Sequence, residues 1–194
     1  DPFVYGCLDS FNHELRVRTG EQGGVPAHMS IASRSHTTAT PALRVLNLAG
    51  VEYQVHEFEH DPHVRRYGTE AAQKLGVESG RVFKTLIIMV DGEPFSALVP
   101  VSGQLDLKLL AQATGGKKAQ LAGIATSERR TGYPTGGISP LGQRNSCPVV
   151  IDHSAHDHQT IFVSAGKRGL EIEIRPTDLI MITDARVDRI AALD

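Results

Sequence analysis

A predicted β-hairpin over residues 82–101 constrains the fold of this chain more than any other segment. Val82–Val90 is an almost uninterrupted apolar run, Asp91 and Gly92 follow it, and a second apolar run covers residues 95–101. Asp-Gly between two apolar runs is typical of the tight turn that joins antiparallel strands. The segment therefore predicts two paired strands.

Lys84 conflicts with the pattern of the first of these strands. Side chains alternate between the two faces of a strand. The other residues on the same predicted face are all apolar: Val82, Leu86, Ile88 and Val90. A lysine there either extends its ammonium group to water or binds a phosphate, a ribose hydroxyl or a developing negative charge. The pattern alone leaves both interpretations open.

The rest of the chain predicts a mixed α/β (α+β) fold of short elements. Thr40 and Pro41 suit the start of a helix that Gly50 ends, Thr69 suits the cap of a helix through Leu75, and Ser127 suits the cap of a single turn. Further helices are predicted over residues 106–114 and from 177. Further strands are predicted over residues 51–60, 148–152, 161–164 and 170–174 and around 187.

The length of the chain favours one domain with one core. A chain of 194 residues is long enough for a well-buried domain and short for two. We expect this domain to cover residues 39–194. Residues 1–38 show no sustained period and are expected to be an extension that is disordered or docks on the domain. Met29 is a candidate natural start, with the preceding residues derived from an expression vector or an upstream fusion.

Composition narrows the functional classes. Apolar residues make up 40% of the chain and charged residues 22%, and no run approaches the roughly 20 apolar residues that span a bilayer. Cys7 and Cys147 lie far apart, which favours a reducing cytoplasm over a disulfide-rich secreted fold. Because the net charge is -2, any RNA binding must depend on local basic patches.

Two loops are candidate binding segments. Residues 131–142 are rich in glycine and proline, which lets backbone amides approach a ligand closely, although many such clusters are only turns. Residues 164–169 follow a predicted strand but lack the spacing of a Walker phosphate loop. A nucleoside triphosphatase is therefore excluded, and this second loop either borders the same pocket or is a basic turn.

Histidines and basic pairs give weaker signals. The histidines at 56, 60 and 63 and at 153, 156 and 158 are close in sequence, but no cysteine pair or HExxH helix accompanies them, so no metal site is predicted. A Ser-His-Asp triad stays open, although no nucleophile elbow is present. Basic pairs at 65–66, 117–118, 129–130 and 167–168 are either solvated or contact phosphates if they converge on one cleft.

A set of motifs then resembles one known family. The motifs, in chain order, are Thr40-Pro41-Ala42, His56-x-Phe58-x-His60-Asp61-Pro62, Val82-Phe83-Lys84-Thr85-Leu86, residues 100–107 (PVSGQLDL), Thr131-Gly132-Tyr133, residues 136–142 (GGISPLG) and residues 163–170 (VSAGKRGL). Together they resemble the bacterial YbaK/EbsC-type Cys-tRNA(Pro) deacylases, which are relatives of the editing domain in prolyl-tRNA synthetases. The resemblance covers about residues 40–194.

The resemblance implies a barrel-like mixed sheet flanked by short helices and a hydrolase that removes cysteine from mischarged tRNA(Pro), and also from tRNA(Cys). It implies that Lys84 anchors the 3′-terminal nucleotide of the CCA end. Gly136, Gly137 and Ile138 would border the ester, with their amides as candidate donors to an oxyanion. The implied substrate-binding residues are Phe58, Ser139, Pro140, Ser164 and Glu171.

Two of these residues depart from the family pattern. Phe58 stands where a tyrosine is found and so lacks a hydroxyl, and Glu171 stands where an aspartate is found and is longer by one methylene. Both changes bear on amino-acid preference more than on the reaction class. They also leave open a deacylase for another small residue, such as Ala-tRNA(Pro), or a non-catalytic module that binds tRNA or a synthetase.

The resemblance further implies that the substrate supplies the nucleophile. The thiol of the bound cysteine attacks its own ester carbonyl while the protein positions the ends. No cofactor or metal is then required. The implied partners are mischarged tRNA and prolyl-tRNA synthetase, in the cytoplasm and away from membranes.

Overall fold

The computed structural model describes residues 39–193, so the predicted extension, residues 1–38, lies outside the described residues. Five short helices fall within the described part: α1 (Pro41–Ala49), α2 (Tyr67–Leu75), α3 (Leu107–Thr114), α4 (Ile124–Thr131) and α5 (Pro176–Thr183). None of them is long and apolar enough to cross a membrane.

Ten strands occur with these helices in the same part of the chain: β1 (Tyr53–Glu57), β2 (Val82–Val90), β3 (Glu93–Pro100), β4 (Gly103–Leu105), β5 (Ala119–Leu121), β6 (Val149–Asp152), β7 (Ile161–Lys167), β8 (Leu170–Ile174), β9 (Arg186–Asp188) and β10 (Ala191–Leu193). Seven form a path in the order β1-β8-β7-β2-β3-β6-β9, and β5 pairs with the end of β2. Strands β10 and β4 pair separately. The predicted mixed, barrel-like sheet is confirmed, because the sheet curls into a half-barrel.

The predicted hairpin is confirmed as the antiparallel pair β2 and β3. Their register runs from Phe83 opposite Pro100 to Val90 opposite Glu93. Asp91 has a positive φ of 50° and Gly92 one of 95°, as a tight hairpin turn requires. The parallel neighbours β7 and β6 flank the hairpin, so β2 and β3 lie in the middle of the sheet.

The two faces of the sheet are buried against different helices. One face carries Phe83 and Val163 and packs against α1 and α5 in the largest apolar cluster. The opposite face packs at one end against α3, through a cluster that includes Ile88 and Leu110. At its other end it packs against α2, through a smaller cluster that includes Phe162. The second face therefore has two separate apolar patches, with room for polar groups between them.

Most predicted elements are present, but two predicted caps are wrong. The Thr40 side chain accepts the N–H of Leu43 at 3.3 Å, so this cap is confirmed. Thr69 lies inside α2, which begins two residues earlier at Tyr67. Ser127 lies inside α4 and donates its hydroxyl to the carbonyl of Gly123. A hydroxyl can bond back to its own helix in this way, so a cap residue alone does not mark the start of a helix.

Strand boundaries differ from the pattern where the strands are short. The predicted strand over 51–60 extends only over β1, while β4, β5 and β10 were not predicted. Each of these three has three residues. A three-residue strand is too short to show alternation, and β4 and β10 exist because each is the pairing partner of the other.

Candidate functional site

Three predicted site residues lie in one row across the sheet. Glu171 of β8 pairs with Ser164 of β7 on one side and with His56 of β1 on the other. Directly paired residues share a face of the sheet. Phe83 of β2 pairs with Val163, so the next step along both strands places Lys84 beside Ser164. The row thus runs His56, Glu171, Ser164, Lys84.

This row separates the two apolar patches on its face of the sheet. The patch against α2 includes Val82 and Phe162, and the patch against α3 includes Ile88 and Val99. Ser164 and Glu171 are buried, and Lys84 is half-buried. Polar groups between apolar patches are poorly solvated, so their interaction with a bound ligand is stronger than at an open surface.

Glu171 brings a carboxyl group with a shifted pKa into the row. Its side chain is 6% exposed, and this burial raises the pKa of Glu171 to about 8. Desolvation disfavours the charged form of a carboxyl group, which explains the direction of the shift. The group is therefore mostly protonated at neutral pH.

Lys84 lies on the face of β2 that the alternation of side chains predicted, among apolar residues. It shares its face with the buried residues Val82, Ile88 and Val90. Its Nζ donates a hydrogen bond to the carbonyl oxygen of Gly103 at 2.8 Å. Gly103 is the first residue of β4, and α3 begins shortly after it at Leu107, so the ammonium group is held by the segment that leads into α3.

The loop between α4 and β6 contains two glycines at which any side chain would come too close to neighbouring atoms, so that the surrounding structure would have to shift. Gly136 has a φ of 85°, and a Cβ there would lie 2.4 Å from Cγ of Tyr67. A Cβ at Gly137 would lie 3.0 Å from the backbone nitrogen of Arg168. The loop therefore needs both glycines to pass between α2 and the turn that joins β7 to β8.

Arg168 and Tyr67 hold this loop from two sides. Arg168 donates from Nε to the carbonyl of Thr135 at 2.8 Å, and its guanidinium carbon lies 4.9 Å from the centroid of the Tyr67 ring. The N–H of Thr135 donates to Oε1 of Glu128 at 2.8 Å, and this bond is the main cause that lowers the pKa of Glu128. The segment before Gly136 is thus fixed by the side chains of Arg168 and Glu128.

The predicted oxyanion donors differ in whether their N–H groups already donate a hydrogen bond within the protein. The N–H of Gly137 donates to the carbonyl of Pro134 at 2.9 Å, inside the loop itself. This bond leaves the amides of Gly136 and Ile138 as the candidate donors for a ligand. Ile138 is 9% exposed, so its side chain is buried in the protein and only its backbone can face a ligand.

Ser139 and Pro140 are placed within the protein rather than beside open space. Ser139 has no exposed surface, its Oγ accepts the N–H of Leu141 at 3.3 Å, and its carbonyl accepts Nε2 of Gln143 at 2.9 Å. Pro140 is also buried. In this arrangement both residues shape the loop, and a direct contact between Ser139 and a substrate would require these bonds to change.

Phe58 lies at the edge of the patch against α2. It is half-buried, and its backbone N–H donates to the carbonyl of Gly169 at 2.9 Å. Gly169 has a φ of 78°, and a Cβ there would lie 2.3 Å from the carbonyl oxygen of Phe58. The segment after β1 is therefore held against the turn between β7 and β8, near the loop that contains Gly136.

Sequence reasoning did not single out the residues that support the loop. His60 Nδ1 lies 2.7 Å from Oε2 of Glu70, and the other oxygen of Glu70 accepts the N–H of Asp61, also at 2.7 Å. The His60 ring lies 5.4 Å from the Tyr67 ring, which touches Gly136. Only the placement of His60 and Asp61 in one motif hinted at this role, and nothing in the sequence marked Glu70 or Tyr67.

Three histidines, His56, His60 and His153, each contact a different carboxylate. His56 Nε2 lies 2.9 Å from Oε2 of Glu173, which also binds Arg81 and Thr160. Across residues 39–193 no three His, Cys, Asp or Glu side chains come together in a group that could hold a metal ion.

Known proteins of one family are similar to most of this chain. The model of the aminoacyl-tRNA editing domain family matches residues 61–182. The chain is 35% identical over 158 residues to a protein of Enterococcus faecalis that carries the provisional name Cys-tRNA(Pro)/Cys-tRNA(Cys) deacylase EbsC, and the match covers 80% of this chain and 95% of that protein.

Two further matches connect the chain to prolyl-tRNA synthetases. It is 29% identical over 124 residues to the proline–tRNA ligase of Maridesulfovibrio salexigens, a match that covers 64% of this chain but 20% of the ligase. A solved structure provisionally described as a trans-editing enzyme for prolyl tRNA synthetase superposes with a TM-score of 0.70 at 25% identity, covering 80% of this chain and 99% of that one.

Proposed function

The chain belongs to the aminoacyl-tRNA editing domain family, and on this premise we propose that it is a trans-editing hydrolase for Cys-tRNA(Pro), with Cys-tRNA(Cys) as a second substrate. The enzyme is an aminoacyl-tRNA deacylase: it cleaves the ester between the amino acid and the terminal ribose. The partner proposed for this enzyme is mischarged tRNA, and prolyl-tRNA synthetase is the proposed source of that tRNA.

The row of Lys84, Ser164 and Glu171 is the observation that carries the proposal. It places a cation, a hydroxyl and a neutral carboxyl group side by side between two apolar patches of the sheet. The 3′ end of a tRNA offers matching groups, namely a phosphate and an amino-acid ester. In our proposal the ammonium group of Lys84 binds the phosphate of the terminal nucleotide, and Ser164 and Glu171 contact the aminoacyl group.

The glycine loop is proposed to act on the ester carbonyl. The amides of Gly136 and Ile138 are the donors that would stabilise the oxyanion, because the amide of Gly137 is bonded to Pro134. The bonds of Arg168 and Glu128 to Thr135 hold this segment in place before substrate binds. Preorganised donors of this kind need no reorganisation during the reaction.

The substrate itself supplies the proposed nucleophile. The cysteine thiol loses its proton to water, its sulfur bonds to the ester carbonyl carbon, and the bond from that carbon to the ribose oxygen breaks. The ribose oxygen takes up a proton, and water then opens the cyclic thioester to give free cysteine. Within the described residues Ser164 Oγ accepts the N–H of Gly166 at 3.4 Å and no histidine bonds it, so the serine lacks the Ser-His pair of a serine hydrolase.

Deacylation of Cys-tRNA(Pro), Ala-tRNA(Pro) and Ser-tRNA(Pro) tests this proposal. We expect selective release of cysteine and a loss of at least about 100-fold in kcat/KM for Lys84→Ala, since phosphate positioning by a charged group in a dry site is worth several kcal/mol. Lys74→Ala, on the exposed surface of α2, is the matched control and should keep native activity.

Two other outcomes of this assay would favour the alternative functions. Faster release of alanine than of cysteine would replace our proposal with an alanyl deacylase that uses bound water. Tight binding of tRNA(Pro) without hydrolysis of any ester would replace it with a non-catalytic tRNA-binding module.

A further inference from the structure

A groove between α3 and β5 is lined by basic residues that the proposed site does not use. It encloses about 320 Å³ and its polar lining residues are Lys108, Gln112, Lys117 and Lys118. All four side chains belong to exposed residues. Among the residues that line the groove there are three lysines and no acidic residue, although the net charge of the whole chain is -2.

The lysine pair projects from a fixed backbone. The carboxylate of Asp91 accepts the N–H groups of Lys117 at 2.7 Å and Lys118 at 2.9 Å, and the N–H of Asp91 donates to the carbonyl of Lys118 at 2.9 Å. A Cβ at Gly116 would lie 2.3 Å from Cγ1 of Val90, so the backbone lies directly on β2. The two ammonium groups therefore move only through their own side chains.

Asp91 is the acidic group that contacts this backbone, and its charge must be counted. Its two N–H donors lower the pKa of Asp91, so it is ionised at neutral pH. Both of its oxygens face the backbone amides. At the other end of the groove, Asp106 Oδ1 accepts the N–H of Lys108 at 2.8 Å, so a second carboxylate contacts the backbone of a lining residue. Three lysines against these two carboxylates leave the groove locally positive, although the net charge of the chain is negative.

The groove lies on the same face of the sheet as Lys84. Helix α3 packs through Leu110 and Ala113 against the patch that contains Ile88 and Val90, whose side chains share the face of Lys84. The carbonyl that Lys84 binds belongs to Gly103 of β4, and α3 begins at Leu107. The eight residues of α3 span about 12 Å at 1.5 Å per residue, so the lysines along the helix and just after it extend from the Gly103 end over a length comparable to a few nucleotides.

We propose that this lysine groove binds backbone phosphates of the acceptor arm of the tRNA whose 3′ end occupies the site. The inference rests on the proposed function, because it places the rest of the same substrate. Lysine is a mobile point charge that suits phosphates and reads no base sequence. The groove therefore contributes affinity and orientation, and the row around Lys84 carries the selection of the amino acid.

The test compares two variants with the same loss of charge. One carries Lys108→Gln, Lys117→Gln and Lys118→Gln. The control carries Arg44→Gln, Arg186→Gln and Arg189→Gln, which are exposed residues on α1 and near β9. Hydrolysis is measured with full-length Cys-tRNA(Pro) and with a cysteinylated CCA trinucleotide, each over a range of salt concentrations, and binding of uncharged tRNA(Pro) is measured by fluorescence anisotropy.

We expect the lysine variant to raise KM for the full-length tRNA at least about fivefold, with kcat and trinucleotide hydrolysis unchanged. The slope of log K against log salt should fall by about 0.9 for each duplex phosphate that the variant no longer binds. The arginine control should stay close to the native protein in both quantities.

Equal losses in both variants would overturn the inference, since global charge would then explain the effect. Unchanged anisotropy and an unchanged salt slope in the lysine variant would overturn it as well and would indicate an acidic protein surface as the partner of the groove. Failure of the proposed function has a different signature: the native protein hydrolyses neither ester, whereas the anisotropy comparison still reports on the groove.

Discussion

Glu171 determines which hydrogen bonds the row can make with a substrate. An ionised carboxylate only accepts hydrogen bonds, whereas a protonated one also donates through its O–H. Burial raises the pKa of Glu171 to about 8, so at pH 7 the group is mostly protonated and, in the proposed complex, donates to an oxygen of the aminoacyl ester.

Replacement of Glu171 by glutamine should change how stability depends on pH. The ordinary pKa of the group is 4.5 and that of the folded state is about 8. Between these values the folded protein holds a proton that the unfolded chain has lost, so native stability falls as pH rises, by about 1.4 kcal/mol per pH unit. Glu171→Gln removes this dependence. Urea unfolding at pH 5.5, 6.5 and 7.5 should show the free energy of unfolding of the variant rising relative to that of the native protein at each pH step. If the two free energies changed with pH in parallel, Glu171 would be ionised in the folded state.

At the scale of elements, the glycine loop depends on contacts from α2 and from the turn between β7 and β8. Gly136→Ala places a methyl group 2.4 Å from Cγ of Tyr67 and keeps a φ of 85° that alanine rarely adopts. We expect a loss of stability of about 1–3 kcal/mol and of most of the hydrolysis, because the Gly136 amide moves. Urea unfolding and single-turnover deacylation measure the two effects.

The double variant Gly136→Ala/Tyr67→Ala separates the causes of that loss. It relieves the contact with the ring and leaves the strain at φ. Recovery of stability without recovery of hydrolysis would support a role of the amide in the reaction. Full activity in Gly136→Ala itself would exclude the Gly136 amide as an oxyanion donor.

Glu70 fastens α2 to the segment that follows β1. Its side chain is 5% exposed and its two oxygens bond the N–H of Asp61 and Nδ1 of His60. Glu70→Ala leaves the half-buried His60 and the exposed N–H of Asp61 without their partner, which should cost about 1 kcal/mol of stability. Glu70→Gln retains an acceptor for Asp61 and should cost less. Equal thermal unfolding of the two variants would show that the charge of Glu70, and not its acceptor atoms, matters.

The elements that could be predicted are those with their own local signal. The hairpin was predicted because alternation and Asp91-Gly92 occur within one short segment. The start of α2 was not predicted correctly. Tyr67 lies in the helix and packs on Gly136, which is 69 positions later in the chain. Long-range contacts of this kind override a local cap signal such as Thr69.

For the molecule as a whole, the order of the strands in the sheet brings the residues of the proposed site together. Lys84, Ser164 and Glu171 come from three strands that are adjacent in the sheet although Lys84 is distant from the other two in sequence. The family resemblance named all three, and periodicity alone singled out only Lys84. Their alignment depends on the pairing of β2 with β7, which no local pattern specifies.

In the proposed reaction the protein positions the ester and the substrate supplies the sulfur, so the rate should depend on the ionisation of the substrate thiol. Below its pKa of about 8.5, the thiolate fraction of a cysteine thiol rises about tenfold per pH unit. If the neutral form of Glu171 binds the ester, native kcat/KM for Cys-tRNA(Pro) should rise from pH 6 and turn down above pH 8, where Glu171 ionises. Glu171→Gln should keep rising to the pKa of the thiol, because its amide cannot ionise. Initial rates corrected for spontaneous ester hydrolysis measure both profiles, and a native profile without the downturn would mean that Glu171 acts as a carboxylate or only fills space.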